Sequence, residues 1–156
     1  MAGYSVHVDT HGLPERFDHA ERELRSALGK AVAKTGTQGR TRARAKAPVG
    51  AGTGDASHVP GAGRQAITKK STRAGSVARC IIFIAGGRKG KAFYMYFQDQ
   101  GTGPRSTRGS SRRRSHPTGS LEPQYFMERT AIELREILPV VMDLEVKAAL
   151  VKAGLK

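Results

Sequence analysis

The 156-residue sequence predicts an α+β domain, a small antiparallel β-sheet packed against two long α-helices and joined by long flexible loops. Three observations predict it. Apolar residues recur at three- and four-residue steps in an early and a late segment, the pattern of helices with one buried face. Between them stand β-branched and aromatic runs of strand length, suited to a pleated, half-buried surface. The remaining stretches are Gly, Ser, Thr, Pro and Arg, too polar to supply a core. The length is that of one domain, assigned to residues 1–156.

The first element is a short strand over 4–9, where Tyr4, Val6 and Val8 alternate with Ser5, His7 and Asp9. After His11-Gly12, Pro14 suits the first turn of a helix, where a missing N–H costs nothing. Glu15, Asp18 and Glu21 complement the positive end of the helix dipole. Leu13, Phe17, Ala20, Leu24, Ala27, Leu28, Ala31 and Val32 form its apolar face. The pattern predicts a helix to about Lys34, weakening at Thr35-Gly36-Thr37 and Gly39 and ending in any case at Pro48. Residues 49–63 read as a loop.

Gln65–Ser71 fits a strand with Ala66 and Ile67 inward, and Val77–Ala85 (VARCIIFIA) reads as a central strand. Residues 86–91, GGRKGK, are turn chemistry, and Ala92–Gln98 (AFYMYFQ) reads as the returning strand of a hairpin. Aromatics 93–97 and Phe126 are expected to pack the core between sheet and last helix. Residues 101–120 form a second loop, longer than a small domain ordinarily tolerates without a use for it. Pro123 opens the last helix, whose stripe is Phe126, Ala131, Leu134, Leu138, Val141 and Leu144. Pro139 is expected to kink or split it near Ile137.

Net charge is +14, a balance that points to a polyanion or an acidic partner. Its distribution is uneven. Residues 24–121 carry twenty bases and only Asp55 and Asp99, whereas the flanks are nearly neutral. The stretch MAGYSVHVDTHG lacks a basic region followed by an apolar one, so no secretion signal is expected. No run is apolar enough to span a membrane. The lone Cys80 excludes an internal disulfide and a multi-cysteine zinc site, in keeping with a reducing compartment.

Residues that carry chemistry are sparse. The acids lie at helix-surface spacing, and none makes a close pair with a nearby His. His7 and His11 have a spacing that would join two metal ligands only on a helix. Cys80, leading into Ile81-Ile82-Phe83-Ile84, reads as a small core residue. Gly61–Ala66 matches G-x-G-x-x-A but follows a proline loop, and Gly86–Lys91 lacks the spacer and the hydroxyl of a phosphate-binding loop. A small nuclease would need clustered carboxylates in the basic region, which are missing. The reading is of a non-enzyme without cofactor or metal.

The basic clusters are the candidate contact residues. Arg105, Arg108, Arg112, Arg113 and Arg114 crowd ten residues with no acid among them, and such an arm meets phosphates or an acidic neighbouring subunit. It contains no aromatic, which counts against sequence-reading nucleic-acid recognition and leaves sequence-blind electrostatics. Arg40, Arg42 and Arg44 form a second set that a helix would fan out to several faces.

The order of landmarks resembles a known family. A long helix ends in Ala45-Lys46-Ala47-Pro48, and a loop with Gly50, Gly52, Thr53 and Gly54 follows. Phe93-Tyr94-Met95-Tyr96-Phe97 then runs into Gln100-Gly101-Thr102, and Pro123-Gln124-Tyr125-Phe126-Met127 opens the last helix. These short motifs, over residues 4–150, resemble the minor tail, or tail-completion, proteins of long-tailed bacteriophages. The loop after Pro48 lacks that family's leucine after Thr-Gly, and Asp99-Gln100 stands where the family tends to have a glutamate. The resemblance implies a structural virion protein of the neck, assembled in the host cytoplasm. It implies a ring, usually of six copies, that caps the tail tube and joins it to head-completion proteins. The alternatives are a head-closure stopper in the same neck and a basic, sequence-nonspecific nucleic-acid-binding protein.

Overall fold

The computed structural model describes residues 13–49, 61–86, 92, 94–106 and 117–155. The expected strand at 4–9, with His7 and His11, lies outside them, as do most of the 49–63 loop, most of the 86–91 turn and Phe93. Eight elements follow in order. They are α1 (Leu13–Lys46), α2 (Ala62–Ala66), β1 (Ile67–Ala74), β2 (Val77–Ile84), α3 (Tyr94–Gln100), β3 (Thr102–Ser106), β4 (Pro117–Leu121) and α4 (Phe126–Lys152). Two long helices pack with small antiparallel sheets, as the α+β reading requires.

The spine is α1, which continues unbroken through Gly36 and Gly39. Each glycine costs a helix about 1 kcal/mol in propensity. Here both sit where neighbours press closest. A Cβ on Gly36 would collide with Cys80 Sγ, and one on Gly39 with Ile82 Cδ1 and, at 2.5 Å, Leu134 Cδ1. The glycines are thus the points of close approach, and tertiary packing outweighs their propensity. Thr37 and Thr41 donate their hydroxyls back to the Ala33 and Thr37 carbonyls at 3.0 and 3.1 Å, which keeps them compatible with the helix.

On one flank of α1 lies α4, antiparallel to it. The ion pairs record the register: Glu23 meets Lys152, Lys34 meets Glu145, and Arg42 and Lys46 both meet Glu133. The α1 side of the seam is nearly all small, with Ala20, Ala27, Ala31, Thr35, Ala43 and Ala47 buried, which lets the helices approach closely. On α4 the inward face steps through Phe126, Thr130 and Ala149, with Leu134, Leu138 and Val141 half-buried. Three residues of the expected stripes point outward instead: Phe17 on α1, and Ala131 and Leu144 on α4. The inward face of α4 advances by paired positions, and these two fall in the rows between. Pro139 does not split α4, which is one continuous helix. Both Pro139 and Arg135, whose carbonyl loses its usual partner, are exposed.

On the other flank lies the β1–β2 hairpin, paired antiparallel from Ile67↔Ile84 to Ala74↔Val77. Ala78, Cys80, Ile82 and Ile84 turn toward α1, while Val77, Arg79, Ile81 and Phe83 turn away. The expected central strand, β2, therefore belongs to a sheet of only two strands. Its continuous apolar run splits into an inner and an outer face, because nothing in the described residues covers the second side. Ile67 is fully buried as expected, whereas Ala66 closes the short helix α2.

The remaining corrections concern the segment after the hairpin. Residues Tyr94–Gln100 form a helix, not a returning strand. Helical spacing puts Met95 and Asp99 on one side, both buried, and this tertiary demand overrides the aromatic strand preference. Within the expected loop 101–120, β3 and β4 pair antiparallel with register irregularities. That ladder rests on backbone bonds, so side-chain composition does not announce it. The core gathers where these parts meet: Ala43, Ala47, Ile67, Ile84, Ala92, Met95 and Phe126 are buried, with Tyr94, Tyr96 and Met127 packed against them. Among the described residues large buried side chains are few, and toward the opposite end of the helix pair Ala20, Ala27, Ala149 and Ala153 are buried.

Candidate assembly surface

Two exposed apolar rows stand on different flanks of α1. The outer face of the hairpin carries Val77, Ile81 and Phe83, the first two more than half exposed. The outer face of α4 carries Ile132, Val140, Leu144 and Val151, at 52–65% exposure. Scattered apolar residues on a surface need no explanation, but rows aligned on one face of an element mark contact surfaces. In the α4 row, Ile132, Val140 and Leu144 lie along one i, i+4 ridge, and Val151 stands two turns beyond Leu144. The hairpin row follows from strand alternation.

The charges divide into those used inside the subunit and those left free. Arg42 Nη1 contacts Glu133 Oε2 at 2.9 Å. Arg44 donates from Nε to the Ile67 carbonyl at 3.0 Å and from Nη2 to that of Gln65 at 2.9 Å. Arg64 Nε donates to the Ala47 carbonyl at 2.6 Å. The predicted set Arg40, Arg42 and Arg44 is therefore not one contact patch: Arg42 ties α1 to α4, Arg44 ties α1 to the base of the hairpin, and Arg40 is half-buried. Lys46 and Arg42, hydrogen-bonded to Glu133, hold its carboxyl below the usual carboxylate range. Of the predicted arginine arm, Arg105 lies in β3, its Cα opposite Gly119. Arg108, Arg112, Arg113 and Arg114 lie outside the described residues.

A cleft of about 290 Å³ opens between α1 and the tip of the hairpin. Its lining includes Lys30, Arg73, Arg79, Ser26, Ser71 and Thr72, and no acid. Lys69, one pleat nearer the base, donates to the Ala33 carbonyl at 3.0 Å and to Thr37 Oγ1 at 2.6 Å. That contact holds the hairpin base on α1 and leaves the wider opening toward the tip.

Sequence reasoning passed over Asp99, one of two acids in the basic middle. It is 4% exposed. Its Oδ1 accepts from the Met127 amide at 3.0 Å, and its backbone carbonyl accepts from that of Tyr125, also at 3.0 Å. Tyr125 precedes α4 in a left-handed conformation (φ 49°) and makes no side-chain cap. Asp99 therefore caps α4 from a different helix, placing negative charge at the positive end of its dipole. Its neighbour Gly101 has φ +73°, and a Cβ there would lie 2.8 Å from the Leu121 carbonyl oxygen. The only sequence signal was position, directly before the Gly-Thr landmark.

Among the described residues, no three His, Cys, Asp or Glu side chains are placed to hold a metal ion. Nor is any helix among them long and apolar enough to cross a membrane. Comparison of the chain with protein-family models, with curated proteins and with solved structures gives no match.

Proposed function

We propose that this protein is a non-enzymatic structural subunit of a bacteriophage neck, a tail-completion ring component that caps the tail tube and joins it to the head. The observation that carries the reading is the pair of exposed apolar rows beside a small core. A domain with few large buried side chains gains by burying surface against neighbours, and patches on two flanks suit head-to-tail contacts that close into a ring. The order of the Ala-Lys-Ala-Pro, aromatic–Gly-Thr and Pro-x-x-Phe landmarks supports the same reading. The ring, of six copies by that resemblance, has the tube protein on one side and a head-completion protein on the other. Residues 24–121, with their excess of cations, give it sequence-blind contact with DNA in the channel.

Negative-stain imaging of particles made without this protein tests the reading. Overlong or headless tails are expected. Normal tails on leaking, DNA-filled heads would assign it to the stopper position instead, and normal particles would remove it from the neck.

One observation favours a second reading, a sequence-nonspecific nucleic-acid-binding protein: the acid-free cleft with Lys30 and Arg73. Binding to random duplex DNA across a salt series separates the two. Affinity of tens of nanomolar with a steep salt slope, on the order expected for many phosphate contacts, supports the binder.

A further inference from the structure

We infer that the cleft between α1 and the tip of the β1–β2 hairpin is a phosphate site, which seats one backbone phosphate of a nucleic acid between Lys30 and Arg73. The inference rests on the sequence-blind DNA contact that both functions above invoke, and it names the residues that make it.

The two walls of the cleft supply donors from opposite sides. On α1, Ser26 and Lys30 stand one turn apart on the same face, with Gly29 beside them. On the hairpin, Arg73 pairs with Ala78, on the side that turns toward α1. Its stem crosses the bare backbone of Gly29, where a Cβ would lie 3.4 Å from Arg73 Cδ and 3.7 Å from Nη1. The glycine leaves the wall open where the guanidinium passes.

The charge in the cleft is uncompensated. Around it, Arg25 pairs with Glu21, Lys34 pairs with Glu145, and Lys69 is hydrogen-bonded to α1. Lys30 and Arg73 make no ion pair among the described residues, and both are exposed at the cleft. The acids of α1 nearest to Lys30 in sequence, Glu21 and Glu23, are engaged by Arg25 and Lys152. Like charges lining one cleft repel, and a bound anion relieves both.

The chemistry of the lining selects phosphate. An ammonium, a guanidinium and a hydroxyl donate, and the oxygens of a phosphodiester accept. A tetrahedral phosphate offers oxygens to both walls at once, whereas a planar carboxylate offers two in one plane. The lining has no aromatic ring on which a base could stack, so the contact is to the backbone and blind to sequence. At about 290 Å³ the cleft is at the small end of ligand sites, suited to a single group.

Fluorescence anisotropy of a labelled random-sequence DNA duplex, titrated with the full chain over about 50–200 mM salt, tests this. Arg73→Gln and Lys30→Gln are made singly and together. Lys70→Gln, exposed on the hairpin's outer face, is the control for an equal loss of charge. Gly29→Leu fills the cleft and leaves every charge in place. Losing one phosphate contact lowers the salt slope by about 0.9, which near 0.1 M salt is about eightfold in affinity. The double variant is expected to show both changes and Gly29→Leu a loss of similar size, with Lys70→Gln below about twofold. Equal losses in Lys70→Gln and Arg73→Gln, or full affinity in a folded Gly29→Leu, would replace the cleft by a diffuse field and overturn the site. Should Gly29→Leu not fold, the double variant against Lys70→Gln decides. Poly-glutamate displacing the DNA as readily as unlabelled duplex of equal charge would assign the cleft to protein carboxylates. Inorganic phosphate doing so at matched ionic strength would assign it to the free ion, and either result overturns the nucleic-acid assignment. Unchanged affinity and slope in the double variant would overturn the site and leave the DNA contact standing. No binding by the unaltered chain at low salt would overturn both.

Discussion

Asp99 and Met127 lie 28 positions apart in the chain, and the carboxylate of the first accepts the amide hydrogen of the second at 3.0 Å. Through that bond the short helix α3 holds the start of the 27-residue α4. The same carboxylate accepts from Gln100 Nε2 at 2.8 Å, and the Gln98 carbonyl takes the Gln124 amide at 3.0 Å. The stretch Gln98–Gln100 thus receives the segment entering α4.

Asp99→Ala removes a buried acceptor and leaves an amide of the first turn of α4 unpaired. A loss of about 1–3 kcal/mol is expected. Asp99→Asn retains an acceptor and should lose less than half of that. Chemical denaturation of both variants checks it; equal losses would mean that the carboxylate's charge, and not its hydrogen bond, holds the helix end.

Gly101→Ala faces two penalties at once. The backbone sits at φ +73°, and the new methyl meets the Leu121 oxygen and Pro123. Thr102 Oγ1 accepts the Leu121 amide at 3.1 Å beside it, so neither strand end can move freely. The expected cost is about 2 kcal/mol, from left-handed strain and overpacking together. Hydrogen exchange should show faster opening of β3 and β4 before that of α1.

Gly39→Val tests whether α1 is gripped from both flanks. On an exposed helix position the change is mildly stabilising by propensity. Here the side chain would collide with Ile82 and Leu134, and a net loss of about 1–3 kcal/mol is expected. Truncating both neighbours, with Ile82→Ala and Leu134→Ala, should recover part of it in a mutant cycle.

Glu133 makes stability depend on pH in a defined direction. Lys46 and Arg42 lower its carboxyl below the ordinary value of 4.5. A group depressed in the folded state contributes stability above its unfolded pKa, and the contribution fades as pH falls through the folded pKa. The melting temperature of the unaltered chain should therefore exceed that of Glu133→Gln at pH 7. Below pH 4.5 the two should converge. The pair is solvent-accessible, so added salt should narrow the gap as well.

How far the fold could be read depended on the range of the interaction behind each element. The two long helices were legible because apolar steps, a first-turn proline and acidic first turns are all local. The two strands β1 and β2 were legible for the same reason, but their pairing was not: the expected hairpin joined 77–85 to 92–98, whereas β2 pairs with β1. The run of aromatics at 94–97 misled because strand preference reflects the surface a side chain packs on, and here Met95 and Asp99 pack on helical neighbours. β3 and β4 were invisible because the two strands stand apart in the chain and their ladder depends on main-chain groups that every sequence has. Arg42 and Arg44 looked like surface charge until Glu133 and the Ile67 carbonyl were placed beside them.

The amino-acid sequence by itself determined the two helical segments, the strand character of β1 and β2 and the cationic middle, because each follows from composition or from spacing within a few turns. Only the tertiary structure decided that Gly36 and Gly39 are contact points, that Asp99 caps a distant helix, and which apolar residues of α4 and β2 turn outward. Those outcomes depend on which groups the folded chain brings within a few ångströms, and spacing along one element carries no record of its neighbours.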